Sequence, residues 1–399
     1  MKLEERIEQS WNFCYDKLFD KTTNLFYDFL TSENGNEYLP TPDEIKANMP
    51  NPCGWSSGME DSALNGGSAM EALIARYELT GDERVKALAK QIFKGLNTLA
   101  TVSDDKGFLA RSVSPFDGKS HFIDSSRDQY THWIYGAHRY YNSTMPTDEE
   151  RAQIKQALVW FAEKAERDVV EKNQFFLLRE DGGRGVVCRM LGDRLCGHET
   201  HRLPMIYMAA WEVSGNQHWL DMYKKYRDWA TDFLEEHFDE ERTRKWSFPI
   251  LQMQYSLRLL YDCEQEECYK ARYRKLLNGV GEIVERYVQI GMDFLPDYAP
   301  EEYWGNWRKE LRFLYVFDGV GYVHGTESER NLVNKHMRNF YEAYIIMAMS
   351  PDYQVSERLI ADFIKVTETV DFAKATGYWP LLTFGAYWVL REKGVDFND

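Results

Sequence analysis

The sequence predicts an all-α ring of six inner and six outer helices, and three observations predict it. Helical segments alternate between ones that are apolar or small on every face and ones with a charged face, and a helix without a polar stripe belongs in an interior. The pair recurs about every 65 residues, the signature of a helical repeat architecture. Turns from buried to amphipathic helix are short, whereas connections back are mostly long. In a ring, those long loops gather on one rim, over the N-terminal ends of the inner helices.

The elements follow in order. Glu4 to Lys21 reads as an outer helix, with Ile7, Trp11, Cys14, Tyr15 and Leu18 at helical spacing. After an irregular stretch ending in Cys53-Gly54-Trp55-Ser56-Ser57-Gly58, the first inner helix spans about Asp61 to Leu79. Its Gly66 and Gly67 each cost about 1 kcal/mol of helix propensity, so they predict close packing. Thr80-Gly81-Asp82 turns into the outer helix Glu83 to Ala100. The second inner helix begins near Ser126, and its outer partner runs from Asp148 to about Val170. The third pair is Thr200 to Val213 and His218 to Phe238; the fourth is Pro249 to Tyr261 and a helix to about Tyr287. A loop from Gln289 to Ser328, with a short helix around Trp307 to Phe313, leads to the fifth inner helix, Glu329 to Met349. Its outer partner ends near Val370, and the sixth inner helix runs from Tyr378 to Leu390. All 399 residues are expected to form one domain.

Asp124-Ser125-Ser126-Arg127-Asp128-Gln129 opens the second inner helix with three N-capping residues and a glutamine near N3, as in a capping box. Arg127 and Asp128 are charges at the start of a helix with no free surface, which suits an end that opens into a polar cleft.

Composition narrows the classes. Net charge is −16, the wrong sign for a nucleic-acid footprint. No apolar run is long enough to span a membrane. No secretory h-region is visible, so a cytoplasmic setting is expected, or a secreted or periplasmic one if a leader has been removed. The six cysteines form no CxxC and read as reduced. Gly182-Gly183-Arg184-Gly185 lacks the context of a phosphate loop, and Asn142-Ser143-Thr144 reads as a turn.

The alternation and the turns Leu79-Thr80-Gly81-Asp82 and Val213-Ser214-Gly215-Asn216 look like the (α/α)6 toroids (six-hairpin barrels) of six-hairpin glycosidases and related polysaccharide lyases. Ser126-Arg127-Asp128-Gln129 with Trp133-Ile134-Tyr135-Gly136 is similar to the S-R-G-Q-A-W-A-I-Y-G helix of unsaturated glucuronyl hydrolases. It departs from that helix at Asp128, where the family has glycine, and by one extra residue before Ile134. The resemblance implies a carbohydrate-active enzyme with its site at the loop-bearing rim. N-acylglucosamine 2-epimerases share the fold and length but contribute no motif here.

At that rim the inner helices start with carboxylates, cations and aromatics. Glycoside hydrolysis needs two carboxyl groups, one protonated and one ionised, so Asp61, Asp128 and Glu199 are the candidate pair-formers, with Arg127 and His201 as further catalytic candidates. Trp55, Asn65, Tyr130, His198, Arg202, Trp246, His324, Asn334 and Trp379 are the candidate substrate contacts. Glu60, Gln252, Gln254, Arg330, Asn331, His336 and Tyr378 occupy the same end. A lyase would instead use Tyr130 or a histidine as base with Arg127 against a uronate carboxylate. A sugar epimerase and a non-catalytic sugar-binding module complete the alternatives. His198-Glu199-Thr200-His201 is not HExxH, and no metal or cofactor is expected. The arginines Arg179, Arg184, Arg189 and Arg194 suit either carboxylate recognition or surface pairing with Glu180, Asp181 and Asp193. The partner expected is an oligosaccharide, including uronic-acid-containing ones.

Overall fold

The turn Leu79-Thr80-Gly81-Asp82 is how this chain makes a hairpin. Gly81 ends the first inner helix in the left-handed region, at φ 61°, where a side chain would be strained. The Asp82 carboxylate then accepts the Arg84 amide at 2.9 Å and starts the outer helix. Gly215, at φ 67°, and Asn216 repeat the device.

This computed structural model describes residues 2–309, 313–317, 320–324 and 332–397, with backbone alone for 313–317 and 320–324. The inner helices are Ser62–Thr80, Arg127–Asn142, Arg202–Ser214, Phe248–Cys263, Leu332–Met349 and Trp379–Glu392. Around them lie Leu3–Phe13, Glu83–Thr101, Asp148–Asp168, Gln217–Glu236, Glu267–Ile283 and Glu357–Thr369. Each inner helix packs on the next and the sixth returns to the first, which closes an (α/α)6 toroid. One continuous core cluster reaches from Leu3 to Phe397.

The first and second inner helices meet backbone to backbone. A Cβ on Gly67 would lie 2.2 Å from the His132 carbonyl oxygen, and one on Gly136 would lie 2.6 Å from that of Gly67. On the outer side Trp133 is fully buried and its indole donates to the Leu96 carbonyl at 2.8 Å. Burial of such a ring typically contributes about 3 kcal/mol. The helix is thus held from both sides.

Several elements differ from the expectation. The first helix ends at Phe13 and widens into a π turn, Cys14–Leu18, before the short hairpin Phe19–Asp20 with Leu25–Phe26. The loop expected over Glu171 to Gly197 folds into the hairpin Phe176–Leu178 with Arg184–Arg189. A further helix, Glu285–Phe294, continues past the expected end at Tyr287. In place of a helix up to Phe313, residues 307–309 form a turn and Phe313–Phe317 pairs with Val320–His324. Glu329, Arg330 and Asn331 lie outside the described residues. The capping box at Ser126 does not form: Ser126 accepts no cap bond, and Asp124 is instead buried, accepting Val186 N at 3.0 Å and Cys53 Sγ at 3.3 Å. All six cysteines are free. Among the described residues, no helix is long and apolar enough to cross a membrane.

Candidate active site at the loop-bearing rim

A cavity of about 230 Å³ sits where the N-terminal ends of the first, fourth, fifth and sixth inner helices meet. Its walls are Asp28, Glu60 and Asp61 on one side and Lys335, Arg338 and Asn339 on the other, with Phe29, Trp246, Phe248, Trp304, Asn334, Gly377 and Tyr378 between them.

Asp61 is the N-cap residue of the first inner helix. Its Oδ1 accepts Gln129 Nε2 at 2.7 Å and Arg111 Nη2 at 3.1 Å. Gln129 also takes the Leu64 amide on its own Oε1, at 3.1 Å, so the second inner helix grips the start of the first. Asp28, from the loop after the first hairpin, accepts the Glu60 and Asp61 amides at 2.7 and 2.9 Å and Asn65 Nδ2 at 3.3 Å. Burial, together with the neighbouring Asp61 and Glu60 charges, pushes the Asp28 carboxyl well above its ordinary range. Asp28 is therefore the carboxyl at this cavity that burial disposes to hold a proton.

Asp28 was not legible in the sequence, because it lies in irregular chain without a motif. Arg338 could have been found, since it sits one helical turn from Asn334, at i+4. Its guanidinium lies over the Phe248 and Tyr378 rings, 5.1 and 5.2 Å from their centroids, and its Nε donates to Glu342 at 2.6 Å.

Beside the cavity lies an ionic network whose pairing crosses over. Arg127 pairs with Glu199, not with its neighbour Asp128, and donates to the Arg189 carbonyl at 2.6 Å. Asp128 pairs with Arg202 at 2.5 Å, and Arg202 also reaches Gln252 Oε1 at 2.6 Å. Burial works to raise the Asp128 carboxyl, but the Arg202 guanidinium outweighs it and holds it at about 2. Burial draws Arg202 down from the usual arginine range, yet arginine keeps its charge in proteins, so the pair is ionic. The Asp128 side chain is still 33% exposed, so it remains reachable.

The other candidates divide. Asn65, Trp246 and Asn334 are at the cavity or bonded to its wall. Trp55 packs beside Cys53 and Val186. Tyr130 faces outward, its hydroxyl donating to the Gly107 carbonyl at 2.9 Å and accepting the Leu109 amide at 3.0 Å. His201 is buried between Thr200 and Thr231 and edge-on to Tyr273; burial lowers its pKa to about 3. His198 binds Glu241 at 3.0 Å. Trp379 is fully buried, with its indole on Glu301 at 3.0 Å and its ring stacked on Tyr341, so Tyr378 is the aromatic of that pair at the cavity. Tyr130, His198, His201 and Trp379 are engaged within the fold because adjacent positions on a helix point about 100° apart, and residue type alone does not reveal which way each turns. The His324 side chain lies outside the described ones. Arg179 pairs with Asp181 at 2.8 Å in the hairpin loop.

Buried polar atoms without a hydrogen-bond partner among the described residues come from every inner helix or its N-cap: Asn65 Oδ1, Arg127 Nε, His132 Nε2, Arg202 Nε, Gln252 Nε2, Asn339 Nδ2 and Tyr378 Oη. Leaving such a group unsatisfied costs about 1–3 kcal/mol. Others lie elsewhere, Arg76 Nε and Trp388 Nε1 at the opposite rim among them, but these seven share the loop-bearing end of the ring and suit hydroxyl-bearing molecules or water.

By sequence, the chain matches no family model and no curated protein. By structure, it is similar over 98% of its length to a sugar epimerase from a ruminal bacterium, covering 99% of that chain at 11% identity with a TM-score of 0.52. It also aligns with a family 76 glycoside hydrolase (mannosidase) from Bacteroides thetaiotaomicron VPI-5482, at 13% identity over 98% of this chain and 100% of that one, TM-score 0.47. The cellobiose 2-epimerase from Spirochaeta thermophila DSM 6192 aligns at 11% identity over 98% and 96%, TM-score 0.46. The chain has the six-hairpin toroid fold, and its site chemistry has to be argued from its own residues.

Proposed function

We propose that the protein is a carbohydrate-active enzyme, a glycoside hydrolase acting on an oligosaccharide at the loop-bearing rim. The observation that carries this reading is the set of unpartnered buried polar atoms drawn from all six inner helices, which suits a ligand that presents hydroxyls in every direction. Trp246, Phe248, Trp304 and Tyr378 supply ring faces. Arg338 supplies a preorganised fork for an anionic substituent such as a uronate carboxylate.

The chemistry divides between two environments that push carboxyl pKa values apart. In this reading Asp28 is the carboxyl that burial keeps protonated, and Asp61, at the cavity wall beside it, acts on the leaving glycosidic oxygen. Asp128 stays ionised and acts on the other side, on water or on the anomeric carbon. Glu199, locked to Arg127, positions that arginine. A second reading, sugar epimerisation or elimination, is favoured by His132, a neutral buried imidazole with its Nε2 unpartnered, which could take a proton from a sugar carbon.

A panel of oligosaccharides, with and without uronic acids, separates these readings. New reducing ends support the hydrolase. New ultraviolet absorbance means a lyase, a changed sugar without cleavage means an epimerase, and unchanged but bound sugar means a binding protein; each of these overturns it.

A further inference from the structure

Beside the cleft, on a chain whose net charge is −16, arginines collect on one edge. Arg184 and Arg189 belong to the hairpin Phe176–Leu178 with Arg184–Arg189, and Arg194 to the exposed turn after it. Along a regular strand, residues five apart point to opposite faces. Here the register slips, so that Arg189 stands opposite Phe176 and Arg184 opposite Leu178. Positions 176 and 178 share a face. Both guanidinium groups accordingly reach the Phe176 ring, at 4.6 Å for Arg189 and 5.7 Å for Arg184. Stacking on a ring orients a guanidinium without spending its N–H donors.

The hairpin is fastened to the rim of the cleft. Val186 donates its amide to buried Asp124 at 3.0 Å, Val187 bridges Ser126, and the Arg189 carbonyl accepts Arg127 Nη1 at 2.6 Å. Arg127 and Asp128 open the second inner helix, so the arginine edge continues the rim outward from Asp128. Arg127 is paired with Glu199, and Arg179 with Asp181. Among the described residues, Arg189 and Arg194 have no carboxylate in ion-pair contact. Burial and the charges of Arg194, Arg184 and Arg127 draw the Arg189 guanidinium below the usual arginine range, and Asp193 offsets this only in part. Arginine keeps its charge in proteins, so the edge carries positive potential that the chain does not neutralise.

We propose that this edge binds the part of an acidic oligosaccharide that lies outside the cleft, its arginines receiving oxyanion substituents, carboxylate or sulfate, on the sugar rings. Guanidinium forks take both groups bidentately. A saccharide suits the edge better than a nucleic acid does. The edge is short and leads from a cleft lined with ring faces, and a chain of net charge −16 repels a long phosphate backbone. Placing the other end of the ligand in the cleft rests on the hydrolase reading; affinity for the anionic part does not.

Calorimetry on the full chain with oligogalacturonate, a sulfated cello-oligosaccharide and the uncharged cello-oligosaccharide tests this. At least one acidic probe should bind about 10-fold or more tightly than the uncharged one, the advantage expected from one charge-assisted hydrogen bond. Raising salt from about 50 to 500 mM should remove most of that advantage. Arg184→Gln combined with Arg189→Gln should do the same, with the uncharged probe unaffected. Arg194→Gln, in the exposed turn and away from the Phe176 ring, should weaken the acidic probe less while the circular dichroism stays unchanged. A preference for oligogalacturonate marks uronates as the natural group, and the reverse marks sulfated sugars; either supports the proposal. Acidic and uncharged probes bound alike or not at all, an advantage that survives all three substitutions, or equal affinity for single-stranded DNA would overturn it. Binding is read without turnover, so failure to cleave any probe would remove the hydrolase reading and leave this one standing.

Discussion

At the loop-bearing rim, Asp61 and Asp128 occupy the first turns of inner helices, where free amides and the helix dipole favour negative charge. At the opposite rim the same helices end in carbonyls, and cations answer them: Arg258 donates to the Met349 carbonyl at 3.3 Å, and Lys393 to that of Ser350 at 2.5 Å. The first rim leaves polar atoms unpartnered on every inner helix, whereas the second pairs Arg139 with Glu392 at 2.6 Å and Arg258 with Asp262 at 2.9 Å. The opposite rim has its own cavity and two unpartnered atoms, Arg76 Nε and Trp388 Nε1, but its charges are mostly paired with one another.

Substitutions should divide accordingly, and the largest effect belongs to Asp61. Asp61→Asn keeps acceptors for Gln129 and Arg111, so the helical circular dichroism should be unchanged. Release of reducing ends should fall by about 10²–10⁴-fold, as for a lost acid/base. Full activity in a folded variant ends the assignment.

Asp128→Asn tests whether its rim mixes structure with chemistry. It leaves Arg202 buried without its counter-charge, so denaturant unfolding at pH 7 should show a loss of about 1–3 kcal/mol, together with lost turnover. Because the folded pKa is depressed to about 2, the contribution is present above the ordinary carboxylate value near 3.9 and fades as pH falls through the folded value. The stability gap to wild type should therefore narrow at about pH 2–3. Lost stability with turnover intact would reduce Asp128 to a partner of Arg202.

Glu71→Gln probes the axis between the rims. Its pKa is raised to about 7 by burial, so the folded state binds a proton that the unfolded chain releases near 4.3. Wild-type stability should fall as pH climbs from about 4.3 through 7. Removing the group should stabilise the protein by about 1–3 kcal/mol at pH 8 and leave it unchanged near pH 4. An equal effect at both pH values in urea titrations would contradict the raised pKa.

Lys393→Met, at the opposite rim, should cost least: about 0.3–1 kcal/mol for a cation at helix C-termini, seen as a small drop in melting temperature with kcat/KM unchanged. A large loss of activity here would mean that the two rims are not divided as described.

Much of the ring was legible. Trp133, Ile134 and Tyr135 allow no exposed face, and Gly81 with Asp82 marks a helix stop and start in adjacent positions. Gly67 and Gly136 make sense as a backbone contact once the helices are known to be neighbours. The site was legible only by its rim. Arg127 and Asp128 are adjacent in sequence, but their partners lie 72 and 74 residues on, and nothing local tells which arginine takes which carboxylate. Asp28 acquires its character from burial beside the Asp61 and Glu60 charges, a relation that exists only in three dimensions. The separation of Tyr378 at the cavity from Trp379 in the packing is a matter of helix phase.

Gln129 has a stereochemical consequence. Its amide and Arg111 both end on Oδ1 of Asp61, so among the described residues this carboxyl is saturated on one oxygen and unclaimed on the other. In the proposed hydrolysis, Asp61 can then act only through Oδ2, along an approach set by the carboxyl plane. In that reading a substrate presents its scissile oxygen to that one edge, so the lateral direction of protonation is set by Gln129 and Arg111 together.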